Sequence, residues 1–354
     1  MSELTRQSDD AGKTEDRRFS RAGRRSFFIF ALIAGAIFAG AVVYQYQHFM
    51  NLKAEMVGDG RNVDSYQFDL SDFRGDRSLL VASGLPKDGQ PAIDDPRVLS
   101  MADVDRRNRS PHSRVIVSRD KVVGVEINGE ARAYPIRVLN WHEVVNDVVG
   151  GVPVAVTFSP ISRAAVVFDR RVGDQTLRLG FSGLVYQHNL VMYDRRDDPS
   201  RESLWPQLRF EAISGPMAGR PLNVLPGRLT MWGKWREAHP ETTLAVGLTV
   251  GSFEDRYERA PYEREFAVGE TVFPVRPMPR AASETGVDPF AVVAAYRSPD
   301  ADGVEGSAAR WLVTTEDHAI PPGVPAAYAR FFAWYAQHPD RTRIVDPSPD
   351  AGDD

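Results

Sequence analysis

The chain of 354 residues contains no cysteine. It therefore forms no disulfide, offers no thiolate to a metal and has no thiol nucleophile, so thiol redox chemistry is closed to it. An excess of one charge is also missing: 43 Lys and Arg stand against 48 Asp and Glu, for a formal net charge of −5. Nucleic-acid binding, which needs a clustered cationic surface, is not expected. No Gly-x-x-x-x-Gly-Lys loop and no strand-borne Gly-x-Gly-x-x-Gly turn occurs, which removes the usual nucleotide cradles. With 42% hydrophobic residues the chain still buries a substantial core, and its length suits about two domains.

Charge is absent altogether from one stretch, Phe27 to Tyr44, 18 residues in a row. As a helix it spans roughly 27 Å, close to the hydrocarbon thickness of a bilayer, with Tyr44 and Tyr46 suited to its interface. Arg17, Arg18, Arg21, Arg24 and Arg25 precede it, with no acidic neighbour after Asp16. The positive-inside rule then keeps residues 1–25 in the cytoplasm as a tail, makes 26–46 a transmembrane anchor or signal-anchor, and carries the remainder across. A second reading takes Arg24-Arg25-Ser26-Phe27-Phe28 as a twin-arginine export signal, with Ala39-Gly40-Ala41 as the cleavage site. Residues 47–83, polar and weakly patterned, read as a stalk, and the acidic end at 347–354 as a disordered tail.

The folded part shows strand and turn chemistry throughout. Val122–Ile127 and Ala131–Pro135 flank Asn128-Gly129, a pair that supplies the positive φ of a type I′ hairpin turn. Asn140–Val149 is expected as a short helix capped by Asn140, with Trp141, Val144, Val145 and Val148 facing inward. Strands are expected over Val152–Phe158, Ala164–Asp169, Thr176–Phe181 and Leu190–Tyr193, with Gly173-Asp174 as a turn, and a helix over Leu229–Ala238.

An internal echo shapes the architecture. Trp235-Arg-Glu-Ala-His239-Pro240 through Thr243 recurs as Trp334-Tyr-Ala-Gln-His338-Pro339 through Thr342, and Gly129–Arg137 is matched by Gly269–Arg276. This reads as a duplicated unit with a full first half and a trimmed second; chance similarity of two aromatic helix ends is the alternative. Each histidine ends a helix before a proline and is suited to capping carbonyls there. Tyr328, Phe331, Phe332 and Tyr335 form a helical stripe expected to dock on a sheet.

The runs Gly124–Pro135, Leu139–Asp147 and Gly150–Val156, followed by Phe168-Asp169-Arg170, Gly183–Tyr186, Asn189–Arg195, Ser203-Leu204-Trp205 and the Trp232…Pro240 helix, closely resemble an uncharacterised bacterial family, domain of unknown function 3179. The resemblance covers residues 84 to 244 well and the rest loosely. It implies an exported or membrane-attached domain and supplies no reaction. After Thr157 the family typically carries an aromatic residue, then Cys-Pro, an apolar residue, Cys, Gly and Thr. Here Ser159, Pro160, Ile161, Ser162, Arg163 and Ala164 stand from the first cysteine position onward. Where the family continues after Tyr186 with Asn-Ser-Asn, this chain has Gln187, His188 and Asn189.

The remaining side chains leave several readings open. His142 and His188, with Glu143, Asp147 or Asn189, have the types of a metal site, though no metal is assigned. Ser159 or Ser162 with His142 and Asp147 has the types of a hydrolase, but no Gly-x-Ser-x-Gly elbow surrounds either serine. Tyr186, Asn189, Tyr193, Asp194 and Trp205 have the composition of a polar pocket with an aromatic wall. The expectation is thus a β-rich α+β fold of two related sheet-plus-helix halves, residues 84–244 and 245–346, behind a single N-terminal membrane helix. It places the main domain outside a bacterial inner membrane. The function expected is a non-redox binding or assembly module with no cofactor, for an envelope protein or small ligand, at His142, Glu143, Ser159, Ser162, Tyr186, His188, Asn189, Asp194 and Trp205. A histidine-based metal-binding protein or enzyme is the alternative.

Overall fold

The computed structural model describes residues 56–109, 114–247, 285–297, 311–315 and 320–345, together with Tyr257 and positions 34, 35, 38 and 40–45. The expected transmembrane segment falls largely outside the described residues, as do the tails at 1–25 and 347–354 and the echo at Gly269–Arg276. Among the described residues no helix is long and apolar enough to cross a membrane. Two compact units divide between Met56 and Val57. The reading of 57–83 as stalk is corrected: Tyr66, Leu79 and Leu80 are buried with Leu184 and Val191, and the Tyr66 hydroxyl donates to Leu85 O at 2.5 Å.

Among the described residues twenty strands make up the sheets. In chain order they are β1 (Leu80–Ala82), β2 (Ile93–Asp94), β3 (Val98–Leu99), β4 (Lys121–Ile127), β5 (Glu130–Pro135), β6 (Val144–Val149), β7 (Val152–Ser159), β8 (Ala164–Asp169), β9 (Arg171–Val172) and β10 (Gln175–Thr176). There follow β11 (Leu179–Tyr186), β12 (Asn189–Asp194), β13 (Leu204–Pro206), β14 (Val224–Leu225), β15 (Arg228–Met231), β16 (Thr243–Ala245), β17 (Val292–Tyr296), β18 (Trp311–Thr314), β19 (Ala326–Arg330) and β20 (Thr342–Ile344). The helices are α1 (Met101–Asn108), α2 (Ile136–His142), α3 (Trp232–Ala238) and α4 (Phe331–Gln337). The fold is α+β and β-rich.

A nine-stranded sheet, in the order β2-β6-β7-β8-β19-β17-β18-β20 with β14 also on β8, forms the middle layer. Alternation along its strands sends side chains to two different cores. Val144, Ala155, Val166 and Phe168 meet Leu179, Phe181, Met192, Trp205 and α4 on one face. Val145, Val154, Val156 and Val167 meet Val123, Val125, Tyr134 and α2 on the other. The first group packs under the four-stranded sheet β1-β11-β12-β13, and the second under the five-stranded sheet β15-β4-β5-β16-β3. Each fully buried Val or Leu contributes about 1.5–3 kcal/mol, so a sheet covered on both faces is the main source of cohesion.

The hairpin at Asn128-Gly129 is present, with φ of 51° and 81°. The helix expected over Asn140–Val149 is not. Helix α2 ends at His142, Glu143 adopts φ 54° and donates its N–H to Leu139 O, and Val144 starts β6. Pairs of adjacent valines, 144-145 and 148-149, suit a strand whose branched side chains go to opposite faces. Val148 accordingly lies exposed and Trp141 half-buried, not inward as the helical spacing implied. Likewise the first residues of the expected helix Leu229–Ala238 form β15 on β4, and the helix starts only at Trp232. Residues 176–181 split between the β9–β10 ribbon, turned at Gly173, and a longer β11 bulged between Phe181 and Leu184. Of the aromatic stripe, Tyr328 belongs to strand β19, whereas Phe331, Phe332 and Tyr335 are buried on α4.

Two parts of the fold share one strand order. In β15-β4-β5-β16 and in β19-β17-β18-β20, an antiparallel hairpin is flanked by an antiparallel strand on one side and a parallel strand on the other. A helix, α3 or α4, joins the two flanking strands in each. Trp235 Nε1 donates to Thr242 Oγ1, and Trp334 Nε1 to Thr342 Oγ1, both at 3.0 Å. The backbone N–H of His239 and of His338 closes on the tryptophan four residues earlier. Residues 136–227 are inserted between β5 and β15 of the first set, and they carry most of the candidate site.

Candidate functional site

Three connections meet where β7 ends. Ser159 closes β7, Ala164 opens β8 opposite it, and Ser162 lies in the loop between. The two-residue turn Gln187-His188 joins β11 to β12, with Tyr186 opposite Asn189. Asn189 Nδ2 donates to Ser162 Oγ at 3.0 Å, tying this turn to the loop. The third connection is the junction of α2 with β6, where Glu143 O accepts the N–H of Phe158, the residue before Ser159. From the second half of the chain, Arg330 N donates to Ser162 O at 2.7 Å, and the Phe332 ring stands edge-on to His188 at 5.4 Å.

A buried polar chain runs inward from Ser162. Asn189 uses its second amide proton on Gln207 Oε1 at 2.8 Å, and its own Oδ1 accepts from Leu208 N. Gln207 Nε2 donates to Thr157 Oγ1 at 2.8 Å, and Thr157 donates to Val166 O. Ser162, Asn189, Gln207 and Thr157 are all fully buried. A polar network at such depth is stable only because each amide proton has an acceptor.

Around this satisfied chain lie groups that are not satisfied. Ser159 is 1% exposed and its Oγ has no hydrogen-bond partner among the described residues; neither does Gln187 Oε1. Glu143 is buried, and burial alone pushes its carboxyl well above the ordinary range, favouring the neutral form. Burial likewise pushes the His188 imidazole down to about 4 and lowers that of His142. Four of the nine non-glycine residues with positive φ among the described residues are here: Glu143 at 54°, Arg163 at 49°, Gln187 at 48° and His188 at 62°. Each left-handed backbone costs about 1–2 kcal/mol for a side-chain-bearing residue, and such strain gathers at functional sites. The turn Gln187-His188 has the type I′ conformation that Asn and Gly adopt with least strain.

Not every expected residue joins the cluster. Ser162, Asn189 and His188 come together with Ser159 and Glu143. His142 is held nearby in the chain but is otherwise engaged: Nδ1 donates to Pro91 O and Nε2 accepts from the Tyr257 hydroxyl, both at 2.6 Å. The carbonyl partner fixes this tautomer. Asp147 lies three residues along β6 from Val144, roughly 10 Å at 3.4 Å per residue. It receives Arg132 Nη1 at 2.6 Å and the Tyr134 hydroxyl at 2.7 Å, so no Ser-His-Asp relay forms. Among the described residues, no three His, Asp or Glu side chains gather as metal ligands.

Asp194 and Trp205 are corrected as pocket residues. Asp194 ends β12, five residues beyond Asn189, and its carboxylate accepts from Ser203 N, Trp205 Nε1 and Arg196 Nε. Burial raises its pKa, and those three donors hold it as a structural clasp. Tyr186 packs its ring against Phe73 at 6.0 Å, with the Arg209 guanidinium 6.0 Å from its centroid. Tyr193 donates to Asp88. Thr157, Gln207, Arg330 and Phe332 are contributors that sequence reasoning missed. Gln207 follows directly on the short strand β13, and Arg330 arrives from a different half, so no local pattern marks either.

The family model described as a protein of unknown function (DUF3179) matches residues 87–304 of the chain. No curated protein and no solved structure matches it.

Proposed function

The chain belongs to the family of proteins of unknown function DUF3179, and we propose that it is a non-redox binding or assembly module held at the outer face of the inner membrane. The observation that carries the binding reading is the unspent hydrogen-bonding capacity of Ser159 and Gln187 among strained, buried turns. Folding alone does not favour such groups, because an unmade buried hydrogen bond costs about 1–3 kcal/mol. A small neutral ligand with one donor and one acceptor recovers that cost on binding. Burial favours the neutral forms of Glu143 and His188, so hydrogen bonding rather than charge carries recognition at these two groups.

The two shared strand orders, each closed by a Trp-His helix end, support a duplicated unit whose first copy received the site-bearing insertion. The charge-free run at Phe27–Tyr44 supports the anchor. Gly40–Gln45 are helical, and Phe38, Val42, Val43 and Tyr44 are between 51% and 72% exposed, an apolar surface suited to lipid.

Native mass spectrometry of the full-length chain purified from membranes tests the binding reading. A bound small-molecule mass that Ser159→Ala abolishes, at undiminished melting temperature, supports it. Substrate turnover lost in His142→Ala, or retention of the same mass in Ser159→Ala, overturns it. For location, alkaline carbonate should leave the chain in the membrane pellet, with residues beyond 56 digested only from the extracytoplasmic side.

A further inference from the structure

One cavity of the fold shares no residue with the site above. It has a volume of about 540 Å³ and is walled by Phe210, Trp311, Leu222, Val224 and Val324, with Arg297 in its lining. That volume lies within the roughly 300–1,000 Å³ typical of small-molecule sites. Its aromatic wall is held with unusual firmness. Phe210 has φ 60°, a left-handed backbone that a bulky side chain adopts only at a cost. Its ring lies 5.0 Å from Trp311 and stacks on His338 at 5.6 Å and 13°. His338 is fixed in turn, since Nε2 donates to Leu208 O at 2.6 Å. Phe210 O also accepts the N–H of Leu222, the next wall residue. The strained backbone thus serves to keep one flat ring in the cavity wall.

Arg297 supplies the polar group. Its guanidinium carbon lies 5.0 Å from the Trp311 ring centroid, over the indole face. A guanidinium held over a ring keeps N–H donors with which to grip a carboxylate in fork geometry. Among the described residues no carboxylate forms an ion pair with it. Among the described residues no other charged residue lines the cavity.

We propose that this cavity binds a small molecule with a flat apolar body and one carboxylate, the body against Phe210 and Trp311 and the carboxylate on Arg297. Binding depends on both parts: rings of this kind stack well but select weakly, whereas a charge-assisted pair on a ring-held guanidinium distinguishes an acid from its neutral analogue.

Calorimetric titration of the full-length protein with 1-naphthoate and with 1-naphthylmethanol, in one detergent buffer, tests this. The expected result is one site per chain, with the acid bound about tenfold more tightly than the alcohol. Arg297→Ala should remove that preference, chiefly by weakening the acid. Asn223→Trp, which fills the cavity from an exposed position in its lining, should abolish both. Both positions are exposed, so melting temperatures matching the wild type are expected and confirm that the fold is kept. Equal affinity for acid and alcohol, an undiminished preference in Arg297→Ala, or no binding at millimolar ligand overturns the proposal. Because Ser159 and His188 are untouched, these outcomes leave the ligand test of the first site independent.

Discussion

Two serines three residues apart should respond to the same substitution with opposite signs. Ser159→Ala removes a buried hydroxyl that has no partner among the described residues. Its burial costs about 1–3 kcal/mol on the scale of protein substitutions, and removal returns that amount. The void left by one oxygen offsets only roughly 0.3 kcal/mol, since the cost of a cavity scales with its volume. The net expectation is a stabilisation of about 1 kcal/mol. Ser162→Ala removes the acceptor of Asn189 Nδ2, while the other amide proton stays on Gln207 Oε1. One buried N–H is then orphaned, which destabilises by about 1–3 kcal/mol. The two variants should therefore differ by about 2–4 kcal/mol. Urea unfolding followed by tryptophan fluorescence resolves that separation, provided the slopes with denaturant agree. A Ser159→Ala protein less stable than wild type by 1 kcal/mol or more would refute the reasoning, because it would mean the hydroxyl is satisfied in the native state. Neutral behaviour of Ser162→Ala would remove the buried chain as a structural element.

Three further outcomes follow from burial and packing. His188 is neutral when folded down to about pH 4, whereas unfolded histidine takes up a proton near 6.5, so stability falls as pH drops between those values, by about 1.4 kcal/mol per unit. His188→Asn, which also suits the left-handed turn, should gain on wild type steadily from pH 7 to pH 4.5 in urea midpoints; a pH-independent difference would contradict the neutral imidazole. Glu143 has the opposite sign, since its raised carboxyl stays protonated in the fold while the unfolded chain ionises near 4.5, so its contribution is lost as pH rises. Glu143→Gln should be more stable than wild type at pH 7, with the advantage vanishing near pH 4, and a loss of stability at pH 7 would show that the charged form is bound. At Gly124 an added Cβ would lie 2.3 Å from the Trp235 ring, so Gly124→Ala should cost about 1–3 kcal/mol by overpacking; an unchanged urea midpoint would deny that close approach.

The hairpin at Asn128-Gly129 was legible because its turn chemistry is local: two adjacent residues accept positive φ and the flanking strands follow. The β-rich class, the family resemblance and strands β7, β8 and β12 were legible for the same reason, each being a short run bounded by turns. Asn140–Val149 misled because a stripe of valines at helical spacing is also a run of β-branched residues. The choice was made by β7 and β2, which pair with both edges of β6. The site was half legible. Ser159, Ser162 and His188 stood out by departing from the family pattern and Asn189 by lying in a matching run, but sequence also gathered Asp194, at the far end of β12, and Trp205 on β13, which donates to it.

What the amino-acid sequence determines by itself is chemistry and local conformation: a chain without thiols, an apolar charge-free run behind arginines, and turns placed by Gly and Asn. These follow from side-chain composition and backbone sterics within a few residues. Which residues meet is another matter. Ser162 finds Asn189, Gln207 and Arg330 only because two hairpins and a strand from the second half converge at the end of β7. That convergence is set by burying both faces of the central sheet at once, a condition on the whole chain that no short segment contains.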